Sequence, residues 1–355
     1  MKKKMFYIMG IDWSWIYQRP HILAKKLKED YDMTILFPRC ILEYRRKKPS
    51  IPNIEARILW TIPFQEKCWI IGKISAWINK SKFVDIKEND YIYVGYPVYA
   101  RYIPEEYEGK IIYDCMDDYI AMYSDQKRVD VVKKAEDKLI KEADLLIASS
   151  IKLKEKVDAI AGYGKCELIR NGAKIRDVLE VKKQRIKKEY KIYYIGTIAQ
   201  WFDYPLLVES LKKNQDIKYI LIGPAEKKVE DRNIVYKGVV AHEQLGISIE
   251  DADCLIMPFI LNDIVLSVDP VKLYEYIAFG KCIISVYYPE VEQFSDYVYF
   301  YRDKEEYCKL LQALKVKGFP PKYTKEDQRR FLENNTWDKR YEVLKEKIDQ
   351  LEELK

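Results

Sequence analysis

Short apolar runs recur along the chain, many of them closed by a glycine, a proline or a charged residue. In the N-terminal half they fall at residues 4–9, 33–37, 54–59, 91–94, 111–114, 145–148 and 166–169. Several are near-continuous rather than alternating, the pattern of a parallel sheet covered on both faces. Helical periodicities lie between them. In HILAKKLKED, Ile22, Leu23 and Leu27 share one face, and residues 129–142 form a second, more charged helix. The second half repeats the alternation: IYYIG, IKYILIG, CLIMPF and CIISV are strands, and residues 304–315 and 325–334 are helical. The final stretch is amphipathic, with Tyr341, Leu344, Ile348 and Leu351 on one face. Strand and helix in strict turn predict α/β architecture with two doubly wound domains. The polar, basic run VKKQRIKKEYK is the natural linker. The expected boundaries are a first domain over 1–178, a linker over 179–191, a second domain over 192–335 and a terminal helix over 336–355.

The carboxyl ends of such strands are where doubly wound folds bind ligands. Residues 253–289 read as strand, loop, helix, turn and strand. Asp269 and Pro270 are placed to open the helix as N-cap and first-turn proline, and Gly280 to close it. Lys272 falls in the first turn, where free N–H groups and the helix dipole favour an anion. Glu275, three residues on, shares its face. An ammonium for a diphosphate and a carboxylate for ribose hydroxyls make a nucleotide clamp; a surface Lys/Glu pair is the plainer alternative. Upstream, Gly196 and Thr197 begin the loop after a strand, where backbone N–H groups can meet a phosphate. In IIYDCMDDY a strand ends in Asp114, Asp117 and Asp118. Clustered carboxylates raise one another's pKa, and Asp117 is the first choice for a general base, with Asp118 next. A cap for the following helix and a metal-binding Asp pair are the other readings.

The motif PVKLYEYIAFGKCII resembles the donor-binding helix of GT-B glycosyltransferases, in the family-4-like group that builds bacterial cell-surface polysaccharides of the teichuronic acid, capsule and exopolysaccharide type. The resemblance implies two Rossmann-like domains facing across a cleft, with C-terminal helices crossing back to the first. It gives Glu275 the donor ribose, Lys272 the diphosphate, Gly196 and Thr197 the phosphate loop, and Val239 and Val240, after the strand-end Gly238, the base. Ser267 stands where the family usually has a second glutamate, and with Asp269 it would line the donor-sugar side. The loop GIDWSWIYQRPH is similar to the family's tryptophan-rich loop, which places Asp12, Trp13, Arg19 and His21 on the acceptor side; tryptophans covering a sheet edge are the alternative. His242 is read as a helix-start residue. The implied activity is transfer of a sugar from a nucleotide-diphosphate donor, UDP-linked by family preference, to a glycan or lipid-linked acceptor. A UDP-sugar epimerase and a lapsed homologue that binds membrane or partners are the competing classes.

Composition narrows the field. The 355 residues suit two domains, and 48% hydrophobic with 33% charged residues is a globular composition. A net charge of +6 is too mild for a nucleic-acid binder without a recognised motif. Two histidines cannot build a His-rich metal site, and neither a metal nor another cofactor is expected. Seven cysteines without a CxxC pair point to reduced thiols and a cytoplasmic location. Asp12 interrupts the first apolar run too early for a signal peptide. Thirty tyrosines and seven tryptophans suit sugar stacking or a membrane interface. Residues 60–80 place Trp69, Ile70, Lys73, Ile74 and Trp77 at helical spacing, after the basic RRKKP. That segment is either a core-facing helix or a peripheral contact at the inner face of the plasma membrane. Oligomeric state stays open.

Overall fold

The computed structural model describes residues 2–49, 51–173, 187–241 and 244–353. The linker expected at 179–191 lies mostly outside these residues, as does His242. The chain divides into two compact units, Met1–Arg170 with Arg340–Lys355, and Asn171–Lys339.

In the first unit the strands are β1 (Lys4–Ile8), β2 (Asp32–Cys40), β3 (Glu55–Thr61), β4 (Tyr91–Val94), β5 (Lys110–Cys115), β6 (Leu145–Ala148) and β7 (Cys166–Leu168). All pair in parallel in the order β3-β2-β1-β4-β5-β6-β7. The helices are α1 (Arg19–Leu27), α2 (Trp69–Asn79), α3 (Gln126–Glu142) and α4 (Ile151–Ala161). Each apolar run of the sequence is a strand, and β4 and β6 are buried at every position. Strand order reverses between β1 and β4, so the loops leaving these strands flank the switch point where doubly wound sheets place ligands.

The second unit holds β8 (Tyr190–Ile195), α5 (Tyr204–Lys213), β9 (Ile217–Ile222), β10 (Ile234–Gly238), α6 (Leu245–Ser248), β11 (Cys254–Met257), α7 (Asp263–Leu266), α8 (Val271–Ala278), β12 (Cys282–Val286), β13 (Tyr299–Tyr301), α9 (Lys304–Val316) and α10 (Lys325–Asn334). Its parallel sheet runs β10-β9-β8-β11-β12-β13, with the reversal between β8 and β11. The last helix, α11 (Trp337–Glu353), lies largely in the first unit. There it buries Leu344 and Ile348, and the Tyr341 hydroxyl donates to Asp30 at 2.6 Å.

Tyrosine plays a different part from the one composition invited. Among the largest fully buried side chains are Tyr7, Tyr93, Tyr113, Tyr219, Tyr276 and Tyr307. A buried phenol usually finds a partner for its hydroxyl, and of these six only that of Tyr7 has none among the described residues. Tyr219 is 2.6 Å from Tyr307 and 2.7 Å from Ser210. Tyr113 donates to the buried Glu136 at 2.8 Å. All seven cysteines are free, and among the described residues no helix is long and apolar enough to cross a membrane.

Candidate functional site

Three adjacent strands of the second unit end on glycines. Gly196, Gly223 and Gly238 follow or close β8, β9 and β10 with φ of 143°, 136° and 70°, a region side chains rarely adopt. Gly223 donates its N–H to the Gly238 carbonyl at 2.7 Å, and Gly196 to that of Ile222 at 2.8 Å. The backbones are packed so closely that a Cβ on Gly223 would lie 2.1 Å from the Gly196 carbonyl oxygen. A Cβ on Gly196 would lie 2.2 Å from Cε of Lys272. The glycine therefore makes room for the lysine.

Lys272 reaches this spot because α8 is tied to the strand ends. The Tyr276 hydroxyl accepts the Ile195 N–H at 2.9 Å, which holds the helix against β8. The Lys272 ammonium sits 5.9 Å from the Tyr194 ring and 5.6 Å from the Phe259 ring. It forms no hydrogen bond or ion pair with a described residue. Burial lowers its pKa, and the Glu275 carboxylate offsets part of that. A half-buried ammonium flanked by two aromatic faces beside a helix N-terminus is chemically suited to meeting an anion. Tyr194 and Phe259 escaped the sequence reading, because nothing in their spacing sets them apart from other core aromatics.

The rest of the expected donor set divides. Glu275 is half-buried on the Lys272 face of α8. The Thr197 carbonyl accepts the Tyr194 hydroxyl at 2.8 Å, which fixes the loop after Gly196. Val239 is 76% exposed just beyond Gly238, and Val240 packs partly on the core. Ser267 is 1% exposed and donates its hydroxyl to the Ile264 carbonyl at 2.7 Å, so it finishes α7. Asp269 does not cap α8; the N-cap is Pro270, with no side-chain cap bond. The Asp269 carboxylate instead accepts the Asn171 N–H at 2.6 Å, the Tyr274 hydroxyl at 3.1 Å and the Gln293 amide at 3.2 Å. Three donors, two of them from segments distant in sequence, hold it more firmly than one cap bond could.

In the first unit the turn after β5 is pinned from several sides. Ser149 donates to the Met116 carbonyl at 3.1 Å and Tyr119 to the Gly95 carbonyl at 2.6 Å. Asp118 is 3.1 Å from Lys156, which also pairs with Glu136 at 2.8 Å. Between these anchors the half-buried Asp117 carboxylate forms no hydrogen bond or ion pair with a described residue. Burial raises its pKa to about 7; Arg19 opposes this, while Asp114 and Asp118 add to it. The capping alternative does not hold, because α3 is capped by Asp125, which accepts the Arg128 N–H at 3.1 Å. Among the described residues no group of three or more His, Cys, Asp or Glu side chains could hold a metal ion.

The loop after β1 is braced internally. Asp12 pairs with the buried Arg39 at 2.8 Å and accepts the Ser14 N–H at 2.8 Å. Burial pushes Asp12 up, but these two partners outweigh it and hold the carboxyl below its usual value. Arg19, expected on the acceptor side, is 5% exposed and grips Asp114 with two bonds of 3.0 and 2.9 Å. His21 is likewise buried: its Nδ1 accepts the Gln18 N–H at 3.3 Å, so Nε2–H donates to the Trp13 carbonyl at 3.0 Å. The imidazole is neutral, and burial lowers its pKa. Its ring lies 4.8 Å from that of Trp13, which is half-buried. Arg19 and His21 shape the loop; Trp13, Trp15 and Tyr17 are the side chains it presents.

Comparison with known proteins places this geometry. No protein-family model matches the sequence. Over 265 residues the chain is 24% identical to a Bacillus subtilis protein named as a teichuronic acid biosynthesis glycosyltransferase, TuaH. That match takes in 68% of this chain and 66% of the relative, just under two thirds of its length. Among solved structures, the lipopolysaccharide outer core galactosyltransferase WaaB aligns with a TM-score of 0.68 at 11% identity, over 98% of this chain and 99% of that one. HepE of Anabaena, in complex with UDP and glucose, gives 0.64 at 12% identity, over 98% and 100%. A trehalose-6-phosphate protein of E. coli bound with UDP-2-fluoro glucose gives 0.70 at 10%, over 98% of each chain. At such identities the likeness is one of fold: the chain has the GT-B fold.

Proposed function

We propose that this GT-B chain is a glycosyltransferase that moves a sugar from a UDP-linked donor to a hydroxyl of a glycan or lipid-linked acceptor in cell-surface polysaccharide synthesis. The observation that carries the reading is Lys272, an ammonium packed over Gly196 between two aromatic rings with no acidic hydrogen-bond partner among the described residues. A nucleoside diphosphate supplies the missing charge. The two structures solved with UDP or a UDP-sugar support the same class of donor, and the Bacillus relative supports sugar transfer in cell-surface polysaccharide synthesis.

In this mechanism Glu275 accepts the ribose hydroxyls, and the exposed backbone at Val239 and Val240 meets the base. Asp117 takes the proton of the acceptor hydroxyl as its oxygen bonds to the anomeric carbon. The bond from that carbon to the diphosphate oxygen breaks, and the departing charge falls on Lys272 and the N–H groups of the loop and α8. This assigns inversion of configuration and gives the protein's own cation the part a metal plays elsewhere. The seven free cysteines support a reducing compartment, so we place the reaction on the cytoplasmic side of the membrane.

A thermal-shift panel with UDP, GDP, CMP and NAD tests the reading. A ligand at about a hundred times its Kd stabilises by roughly 2.7 kcal/mol. The expected result is a shift with UDP, lost in Glu275→Ala and Lys272→Ala. A UDP shift unchanged in both variants, or a shift with GDP or CMP instead, overturns the assignment.

A further inference from the structure

We propose that the outward face of α2 rests on the surface of an anionic lipid bilayer. The helix is turned the opposite way from a core helix. Its buried positions are the small or polar ones, Gly72, Ser75 and Asn79. Its large apolar side chains face out: Trp69 is 68% exposed and Trp77 77%, with Ile70 and Ile74 between them. The rotation is fixed by bonds. Asn79 both accepts the Trp60 N–H at 2.8 Å and donates to the Trp60 carbonyl at 2.9 Å, and Ser75 donates to the same carbonyl at 3.1 Å. At Gly72 a Cβ would lie 2.6 Å from the Arg101 guanidinium, so no larger residue faces inward there without displacing it. The exposed Phe64 and Val84 carry the apolar surface past both helix ends. A soluble monomer rarely leaves such a patch uncovered without a use for it.

Charge identifies the occupant. Residues 67–84 contain four lysines and no acidic residue. Lys73 lies between the two tryptophans with its ammonium 4.6 Å above the Trp69 ring, and neither it nor Lys82 has an acidic partner among the described residues. Lys82 shares a shallow depression with Lys48, Trp60 and Val84, so the basic RRKK segment ends beside the apolar face. Tryptophan and isoleucine reaching outward with lysines among them is the makeup of a helix lying in the headgroup region. A second copy packed by two-fold symmetry would bring both sets of lysines into one interface with no acidic residue from this segment to offset them, whereas acidic lipid headgroups complement them. Eleven residues of helix extend only about 16 Å, about half of a hydrocarbon core of ~30 Å. The helix therefore lies flat.

This assignment does not depend on the sugar-transfer reading. The test is co-sedimentation of the full chain with phosphatidylcholine vesicles, with and without phosphatidylglycerol. Binding is expected to need phosphatidylglycerol and to weaken with salt. Trp69→Ser with Trp77→Ser should lower it by at least about tenfold, while the melting temperature and the UDP shift stay unchanged, since both indoles are exposed. Lys73→Glu with Lys82→Glu should cost about fivefold for each lysine on anionic vesicles and little on neutral ones. Failure to sediment with anionic vesicles overturns the proposal. So does unchanged binding by the tryptophan variant, or a dimer in solution that this variant dissolves. Vesicle binding without a UDP shift would leave the lipid assignment standing and count against the donor site alone.

Discussion

At the carboxyl end of the second unit's sheet, adjacent strands finish on glycines, and the charge left unsatisfied is an ammonium, Lys272. At the same end of the first unit's sheet the chain turns through side chains, and the unsatisfied charge is a carboxylate, Asp117. The second arrangement is built from backbone: Gly196, Gly223 and Gly238 hold positive φ, and a Cβ would strike the Gly196 carbonyl from Gly223 and the Lys272 side chain from Gly196. The first is built from side-chain bonds, in which Ser149, Tyr119 and Lys156 anchor every neighbour of Asp117 and leave it alone. Backbone donors suit a phosphate, which every nucleotide donor shares. Side-chain networks can be rewritten residue by residue, which suits an acceptor that differs from one enzyme to the next. In both places a half-buried charge has no hydrogen-bond or ion-pair partner among the described residues, and burial shifts its pKa toward neutrality: Lys272 downward, Asp117 upward.

The sharpest way to break this contrast is to remove the proposed base. Asp117→Asn is expected to lower kcat/KM by about a thousandfold, within the usual range for a general base, while the UDP shift persists. In the wild type, kcat/KM should rise with pH through about 7, as the carboxyl loses its proton. A variant that keeps its turnover, or a rate flat across that range, moves the base elsewhere.

Arg19 separates ligand contact from architecture. It was expected to meet the acceptor, yet its guanidinium is spent on Asp114 and on the carbonyls of Ile169 and Arg170. Removing one partner of such a buried pair costs about 3–5 kcal/mol. Arg19→Met should therefore lower the denaturation midpoint sharply. A variant of unchanged stability with weakened acceptor binding would restore the acceptor role.

The backbone side of the contrast is tested at Gly196. An alanine there must hold a φ of 143° and push Lys272 aside. The strain alone costs about 1–3 kcal/mol, and donor affinity should fall with it. Gly164 is the control: its φ is 77° but nothing lies within 4 Å of its would-be Cβ, so Gly164→Ala should cost stability without touching UDP. Equal loss of UDP binding in both would show that the Lys272 contact is incidental.

These features were unequally visible in the sequence. Runs such as YIYV and LLIA are buried on both faces and can only be central strands, so the fold was legible in the apolar pattern. That Lys272 and Glu275 share one helix was legible, because one turn fixes their spacing. Asp269 was misread, since Asp-Pro before a helix looks like a cap until Asn171, far away in sequence, takes the carboxylate. Arg19 and His21 stood out as ligand-loop residues, and their burial against Asp114 and the Trp13 carbonyl shows only once these partners fold into place. The amphipathic pattern of α2 fits either rotation of the helix, and only the bonds of Ser75 and Asn79 to Trp60 decide between them.

The smallest effect concerns the cost of keeping Asp117 unpaired. Its pKa is near 3.8 when the chain is unfolded and about 7 when folded. Between these values the folded state binds the extra proton, so stability falls as pH rises from about 4 to 7 and stays reduced above that. Asp117→Asn removes the penalty. The variant should be more stable than the wild type by about 2 kcal/mol at pH 8, from a shift worth 1.36 kcal/mol per unit and diminished by partial exposure. The gain should shrink steadily as pH falls toward 4. Urea midpoints of the two proteins across that range measure it directly. A gain that does not vary with pH would mean the asparagine found a hydrogen bond the carboxylate lacked, and the tension at this turn would then be geometric, not electrostatic.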